Sequence, residues 1–115
     1  MKNFKNVLLQ VAQNGMGAGD DELGIQLVVN YFRLINEEIE LPRFIAFYNG
    51  GVKLICIGSP ALEILKAIER KGVKLIACKT CLNHYNLLDK MDVGVAGTMI
   101  DIIELQKITD KVINL

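Results

Sequence analysis

Cys78 and Cys81 form the segment of this sequence with the clearest chemical potential. A thiolate is the nucleophile of sulfur chemistry, and a Cys-x-x-Cys pair lets one sulfur react or carry a persulfide while the other resolves it. If Thr80 caps a following helix, Cys81 takes the first helical position, where a helix N-terminus lowers a thiol pKa from about 8.5. The charge of Lys79 acts in the same direction. The alternative is that both thiols simply fill a strand-to-helix junction, because free cysteine is among the most buried residue types.

The single histidine, His84, follows Cys81 by three residues and shares its predicted helix face. There it could stabilise a thiolate or join the two cysteines as a metal ligand. A closed zinc site needs four ligands, and the sequence has no second Cys-x-x-Cys pair and no other histidine. We therefore expect an exposed helix histidine, with no metal and no cofactor. Cys56 lies in an apolar run and is expected in the core.

Two glycine-containing segments also end predicted strands. The glycines of residues 15–19 are followed by three acids at residues 20–22, which would repel a pyrophosphate, so we interpret them as a flexible loop that folds over a site or a neighbouring subunit. Asn49, Gly50 and Gly51 form a turn whose backbone N–H groups could serve an anion. A plain strand-ending turn is the other interpretation of that segment.

Apolar runs alternate with amphipathic stretches along the chain, the pattern of a parallel sheet covered by helices on both faces. Strands are predicted over residues 5–11, 43–48, 73–77, 92–96 and 111–115. Helices are predicted over residues 21–38, from Ser59-Pro60 to Gly72, around 82–88, and after a Thr98 cap paired with Asp101. The apolar segment 52–57 is ambiguous, and a short helix is one interpretation of it. In such a sheet, reactive groups collect beyond the carboxyl ends of the strands, where residues 14–20, 49–52 and 78–81 lie.

Composition limits the classes of function. At 115 residues the chain fits one domain, residues 1–115, and its 51% apolar content and mean hydropathy of +0.31 indicate extensive burial and a subunit interface. Thirteen basic and thirteen acidic residues cancel, which argues against nucleic acid and membrane surfaces as partners. No secretory signal or apolar span of about 20 residues is visible, and the odd number of cysteines favours free thiols in a reducing cytoplasm.

Segments spread over nearly the whole chain share a pattern with a known family. They are Asp21–Gly24, Leu41–Pro42, Phe47–Leu54, Gly58–Pro60, Gly72–Val73 and Ala77–Leu82. Together these segments resemble the DsrE/F-like family, and more narrowly the C-terminal domain of YedF-type selenium-metabolism proteins. The segments Tyr-Asn-Gly-Gly-Val-Lys and Cys-x-Thr-Cys-Leu carry most of the resemblance.

The resemblance implies a three-layer α/β/α fold with a five-stranded parallel sheet, assembly into trimers or hexamers, and sulfur relay through a cysteine persulfide. The acceptor cysteine of the relay members follows the third strand, which corresponds to Cys78, and Cys81 matches the second cysteine of the YedF-like pattern. We rank Cys78 first as the carrier. Lys79 stands where the narrower pattern has glycine. The sequence also holds no SirA/TusA-like segment, so a donor of that kind is expected to be a separate protein.

Three functions follow as hypotheses. The first is a sulfur carrier or sulfurtransferase subunit that holds a persulfide and passes it to a partner thiol. The second is a non-catalytic oligomeric subunit that binds a ligand or a protein. A thiol–disulfide oxidoreductase ranks last, because thioredoxin-like Cys-x-x-Cys pairs follow an early strand and this pair follows the third.

Overall fold

The computed structural model describes residues 2–115, so that Met1 of the predicted domain lies outside the described residues. Its strands are β1 (Val7–Val11), β2 (Phe44–Phe47), β3 (Lys74–Cys78), β4 (Val95–Gly97) and β5 (Lys111–Asn114). They form one sheet in the order β4-β3-β2-β1-β5, and every neighbouring pair is parallel. The predicted five-stranded parallel sheet is therefore confirmed.

Helices cover both faces of this sheet. They are α1 (Asp21–Asn36), α2 (Leu62–Arg70), α3 (Lys79–His84) and α4 (Met99–Ile108), with short 3₁₀ segments at Asn49–Ile55 and Leu88–Lys90. Apolar residues of α1, α2 and the first 3₁₀ segment share one core cluster with the sheet, and α4 packs on the opposite face. The result is the predicted three-layer α/β/α arrangement. Within residues 2–115, no helix combines the length and apolarity needed to cross a membrane.

The two faces differ in how fully they are covered. The α1 and α2 face contains the larger apolar cluster, including Phe32 and Phe47, whereas Ile102 is the buried residue that α4 contributes to the other. On that second face, the buried Gln10 donates to Asn114 Oδ1 and accepts from Gln106 Nε2, both at 2.6 Å. The buried polar side chain on that face is therefore paired through side-chain hydrogen bonds.

Two predicted helix starts have different outcomes. The capping box is confirmed, because Thr98 Oγ1 accepts from the N–H of Asp101 and Asp101 Oδ2 accepts from the N–H of Thr98. The predicted start of the second long helix at Pro60 is wrong. The Ser59 hydroxyl accepts from the Ala61 N–H at 3.1 Å and closes a turn, so α2 begins only at Leu62. The ambiguous segment 52–57 is mostly the 3₁₀ segment Asn49–Ile55.

Candidate functional site

The junction between β3 and α3 places the two cysteines differently from the sequence prediction. Cys78 pairs with Gly97 as the last residue of β3, and the helix then begins at once with Lys79. Cys78 is therefore the N-cap residue and Cys81 the third helical residue. The predictions of Thr80 as the cap and of Cys81 at the first helical position are wrong, because β3 extends one residue further than its apolar run suggested.

The two thiols differ in exposure. Cys78 is 3% exposed and packs against Ile76 and Ile102 between the sheet and α4. Cys81 is partly exposed and lines a cleft of about 390 Å³ at the carboxyl ends of β2 and β3. Neither forms a disulfide. Of the two predicted carriers, only Cys81 therefore faces a cavity that another molecule could enter.

The predicted turn after β2 contacts this cysteine directly. The backbone N–H of Asn49 donates to the Sγ atom of Cys81 at 3.0 Å. Asn49 adopts a left-handed conformation with φ of 50°, which asparagine tolerates better than most residues. Its Oδ1 atom accepts from the Tyr85 hydroxyl at 3.2 Å, so its side chain is held from the α3 side of the cleft. The N–H group that reaches the sulfur is thus fixed by both chain conformation and a side-chain contact.

Gly51 allows the turn to lie this close to the sheet. A Cβ atom at Gly51 would overlap the carbonyl oxygen of Val11 and lie 2.8 Å from its carbon. Val11 ends β1, and its carbonyl already accepts from the Tyr48 N–H at 3.1 Å. At Gly50 the added atom would be no nearer than 3.4 Å to any neighbour, the backbone N of Asn14 being the closest. The two glycines that sequence analysis grouped together therefore have unequal structural roles.

Burial dominates the acidity of Cys81. Desolvation raises the pKa of this thiol, and the neighbouring Cys78 side chain raises it further. The N–H of Asn49 and the backbone N–H of Cys81 itself act in the opposite direction and are outweighed. The expectation of a lowered pKa for Cys81 is therefore wrong, since α3 has only six residues and the sulfur is partly withdrawn from water.

The remaining cleft residues were only partly identified from sequence. The lining consists of Tyr48, Asn49, Thr80, Cys81, His84, Tyr85 and Met99. His84 is exposed, as predicted, and Lys79 is exposed beside the cleft without lining it. Tyr85 was missed, although it lies four residues after Cys81, the spacing that places side chains on one helix face. The Lys53 ammonium lies 4.6 Å from the centroid of the Tyr85 ring and adds positive charge at the rim.

The other candidate loops do not join this site. The glycine segment packs on its own helix, because the Met16 N–H donates to the Gly24 carbonyl at 2.9 Å and Gly15 lies against the Gly24 backbone. Cys56 is buried, as predicted, and donates to the Val52 carbonyl at 3.2 Å. Across residues 2–115, no three His, Cys, Asp or Glu side chains cluster as metal ligands.

A larger groove of about 780 Å³ lies at the opposite, amino end of the strands, near Asn6, Arg43 and Val73. The residues that line this groove include no cysteine. We therefore do not take it as the candidate active site, although it is the larger of the two. The smaller cleft at Cys81 unites a nucleophilic side chain, a backbone donor and an imidazole. A partly exposed thiol beside a backbone donor and an imidazole is an arrangement that nucleophilic thiol chemistry can use.

Comparisons with known proteins agree with this fold. A family model, the DsrE/DsrF-like family, matches residues 31–115. The YchN protein from E. coli is 16% identical with a TM-score of 0.69, over 96% of this chain and 99% of that chain. MTH1491 from Methanobacterium thermoautotrophicum, a protein of unknown function, is 19% identical with a TM-score of 0.70, over 95% and 97%. BT1422 from Bacteroides thetaiotaomicron is 14% identical with a TM-score of 0.62, over 94% of each chain. No curated protein matches.

Proposed function

The chain belongs to the DsrE/DsrF-like family, and from this membership and the cysteine cleft we propose that it carries sulfur as a persulfide on Cys81. One observation carries the proposal: the Cys81 sulfur lines an open cleft and accepts a backbone N–H from Asn49. Cys78, the first choice by strand position, is buried beneath it and is the less accessible nucleophile. The carrier assignment therefore moves to the second cysteine.

Sulfur transfer at Cys81 takes two exchange steps. The Cys81 thiolate attacks the outer sulfur of a donor persulfide, forms a new S–S bond, and releases the donor thiolate. An acceptor thiolate then attacks the outer sulfur held on Cys81, and Cys81 leaves as a thiolate. No net oxidation occurs in either step. His84 lines the same cleft and presents an imidazole that can accept the Cys81 proton.

Intact mass spectrometry after incubation with glutathione persulfide tests the assignment. At the earliest times after mixing, we expect the wild-type chain and its Cys56→Ser control to gain the mass of one sulfur atom, and the Cys81→Ser variant to gain none. Peptide mapping should place the added sulfur on Cys81. Addition that persists in Cys81→Ser and disappears in Cys78→Ser would contradict the carrier assignment.

The proposal includes partners. We place the chain in the cytoplasm, where a separate donor or acceptor protein would supply or accept the sulfur. The candidate for this partner is a SirA/TusA-like protein. A trimeric or hexameric homo-oligomer is supported by exposed apolar residues on α4, namely Met99, Ile100 and Ile103. Sedimentation equilibrium measures the assembly. A monomer at micromolar concentration would contradict it.

The raised pKa of Cys81 favours a second candidate, a non-catalytic binding subunit. A thiol that stays protonated is a poor nucleophile and packs as a small apolar group. In that case a chain with both Cys78 and Cys81 replaced by serine would bind its partner as well as the wild-type chain does. A wild-type chain that takes up no sulfur yet binds its partner would favour this second function, whereas sulfur uptake that is lost in the double variant would favour the carrier.

A further inference from the structure

Cys78 is a second thiol for which the carrier function has no use. It is 3% exposed, and it lies between the sheet and α4 in the apolar cluster that also contacts Cys81. A molecule entering the cleft meets Cys81 first, because Cys81 lines the cleft and Cys78 does not. A sulfur atom attached to Cys81 is therefore the electrophile that the geometry offers to Cys78.

The positions of the two cysteines on α3 bring their side chains together. Cys78 is the N-cap residue and Cys81 the third helical residue, the two positions whose groups contact each other in a capping box. Both thiols are free. Cys81 packs against the apolar cluster that contains Cys78. Burial is the largest cause of the raised pKa of Cys81, and the adjacent Cys78 raises it further. The two sulfurs are thus neighbours in a partly dehydrated site.

We propose that Cys78 discharges a persulfide on Cys81 when no acceptor arrives, releasing sulfide and leaving a Cys78–Cys81 disulfide. This inference rests on the proposed carrier function and adds an activity to it. The Cys78 thiolate attacks the inner sulfur of the persulfide, the Cys81 Sγ atom, and forms the Cys78–Cys81 bond. The bond between Sγ and the outer sulfur breaks, and the outer sulfur leaves as hydrosulfide with the electron pair. The outer sulfur is reduced, and the two cysteine sulfurs are oxidised to the disulfide.

Proximity favours this route over attack by a dilute external thiol. Groups held in contact react as if one were present at very high concentration. The Asn49 N–H remains directed at the Cys81 Sγ atom, on which the new bond forms. An acceptor protein that occupies the cleft would reach the outer sulfur directly, so transfer and discharge compete for the same persulfide.

Discharge also sets a requirement on the reactions around this protein. The chain that releases sulfide can accept sulfur again only after a dithiol has reduced its disulfide by thiol–disulfide exchange. The first cycle therefore produces one sulfide per chain, and later cycles consume one dithiol each. A reaction that uses free sulfide, rather than a protein persulfide, would consume the product.

The test uses the full chain loaded with glutathione persulfide and then freed of the donor. We expect sulfide, measured with a fluorescent sulfide probe, to appear in step with loss of the added sulfur. Intact mass without reductant should then be two hydrogen atoms below that of the reduced chain. In Cys78→Ser and Cys78→Ala the added sulfur should persist, and sulfide release should slow by at least about tenfold, because the intramolecular route is gone. Cys56→Ser should behave as the wild-type chain.

The outcomes separate this inference from the carrier proposal. Wild-type chain that keeps its added sulfur and forms no disulfide would overturn the discharge activity and leave the carrier function standing. Failure of every variant to take up sulfur would overturn the carrier function and the discharge with it. The strong thiol oxidant diamide gives an independent reading, because a reduced native chain that cannot form the Cys78–Cys81 disulfide with this reagent lacks the required approach of the two sulfurs.

Discussion

Replacing Gly51 with alanine should displace the turn whose Asn49 N–H donates to Cys81. The added Cβ atom would overlap the Val11 carbonyl oxygen and lie 2.8 Å from its carbon, whereas an ordinary contact begins at 3.4 Å. Both neighbours are backbone atoms that cannot rotate away. The 3₁₀ segment Asn49–Ile55 therefore has to move by at least about 0.6 Å relative to β1 to relieve the overlap with the carbon alone.

Such a shift has two energetic costs. Overpacking of a buried site costs about 1–3 kcal/mol, and weakening the hydrogen bond from the Tyr48 N–H to Val11 adds about 0.5–1.5 kcal/mol. For a domain of this size, each kcal/mol lowers the Tm by about 4–8 °C, so we expect a decrease of at least about 6 °C. The same movement withdraws the Asn49 N–H from the Cys81 sulfur, which removes an influence that lowers the pKa of this thiol.

Thermal unfolding of Gly51→Ala and of the matched control Gly50→Ala provides the measurement. In Gly50→Ala the nearest neighbour is 3.4 Å away, so we expect a change within about 1 kcal/mol of the wild-type stability. The pH profile of Cys81 alkylation should move to higher pH in Gly51→Ala only. Equal stability of the two variants, or an unchanged profile in Gly51→Ala, would refute the argument that this glycine sets the distance between the turn and the sulfur.

Three further predictions follow from the same contacts. Iodoacetamide should label Cys81 slowly at neutral pH and faster above about pH 8.5, while Cys78 stays unlabelled until the chain unfolds; equal labelling of both in the native protein would contradict their assigned burial. Tyr85→Phe should lose about 0.5–1.5 kcal/mol of stability in urea unfolding and raise the pH of Cys81 alkylation, whereas Tyr31→Phe on α1 should leave that profile unchanged. Thr98→Ala should cost about 1 kcal/mol at pH 7. The pKa of Asp101 is lowered mainly by the Thr98 backbone N–H, which the variant keeps, and further by the Thr98 hydroxyl, which it loses. The part of the wild-type advantage that comes from the hydroxyl should therefore shrink as the pH falls below about 3.9, and a difference that grows in acid would contradict this sign.

The sequence predicted the centre of the sheet well because β1, β2 and β3 are almost entirely buried and appear as continuous apolar runs, whereas the edge strands β4 and β5 are mostly exposed. The capping box was also predictable, since the Thr98 and Asp101 spacing is local. The start of α3 was not, because β3 gains its last residue through the pairing of Cys78 with Gly97, a contact between distant parts of the chain. The added strand residue is Cys78 itself, which is buried there.

In the site, too, features set by nearby residues were predicted, and contacts between residues distant in sequence were not. Cys78, Cys81 and the turn at Asn49 were predicted to share an edge because parallel strands end together. The hydrogen bond from the Asn49 N–H to Cys81 joins residues 32 positions apart in the sequence. The hydrogen bond from the Tyr85 hydroxyl to Asn49 Oδ1 joins residues 36 positions apart. The acidity of Cys81 was wrongly predicted for the same reason, because burial is a property of the whole fold.

The burial of Cys81 and its backbone donor act on different stages of one reaction. In the empty cleft, desolvation keeps the thiol protonated, and a protonated thiol reacts slowly with oxidants and small electrophiles. The Asn49 N–H is already in place at 3.0 Å, so it stabilises the anion without rearrangement once a proton is removed. A donor that fills the cleft and brings its own proton acceptor would therefore have its reaction with Cys81 accelerated more than a small reagent would. Under the proposed carrier function, the site would therefore favour sulfur exchange with a docked partner over reaction with small thiol reagents.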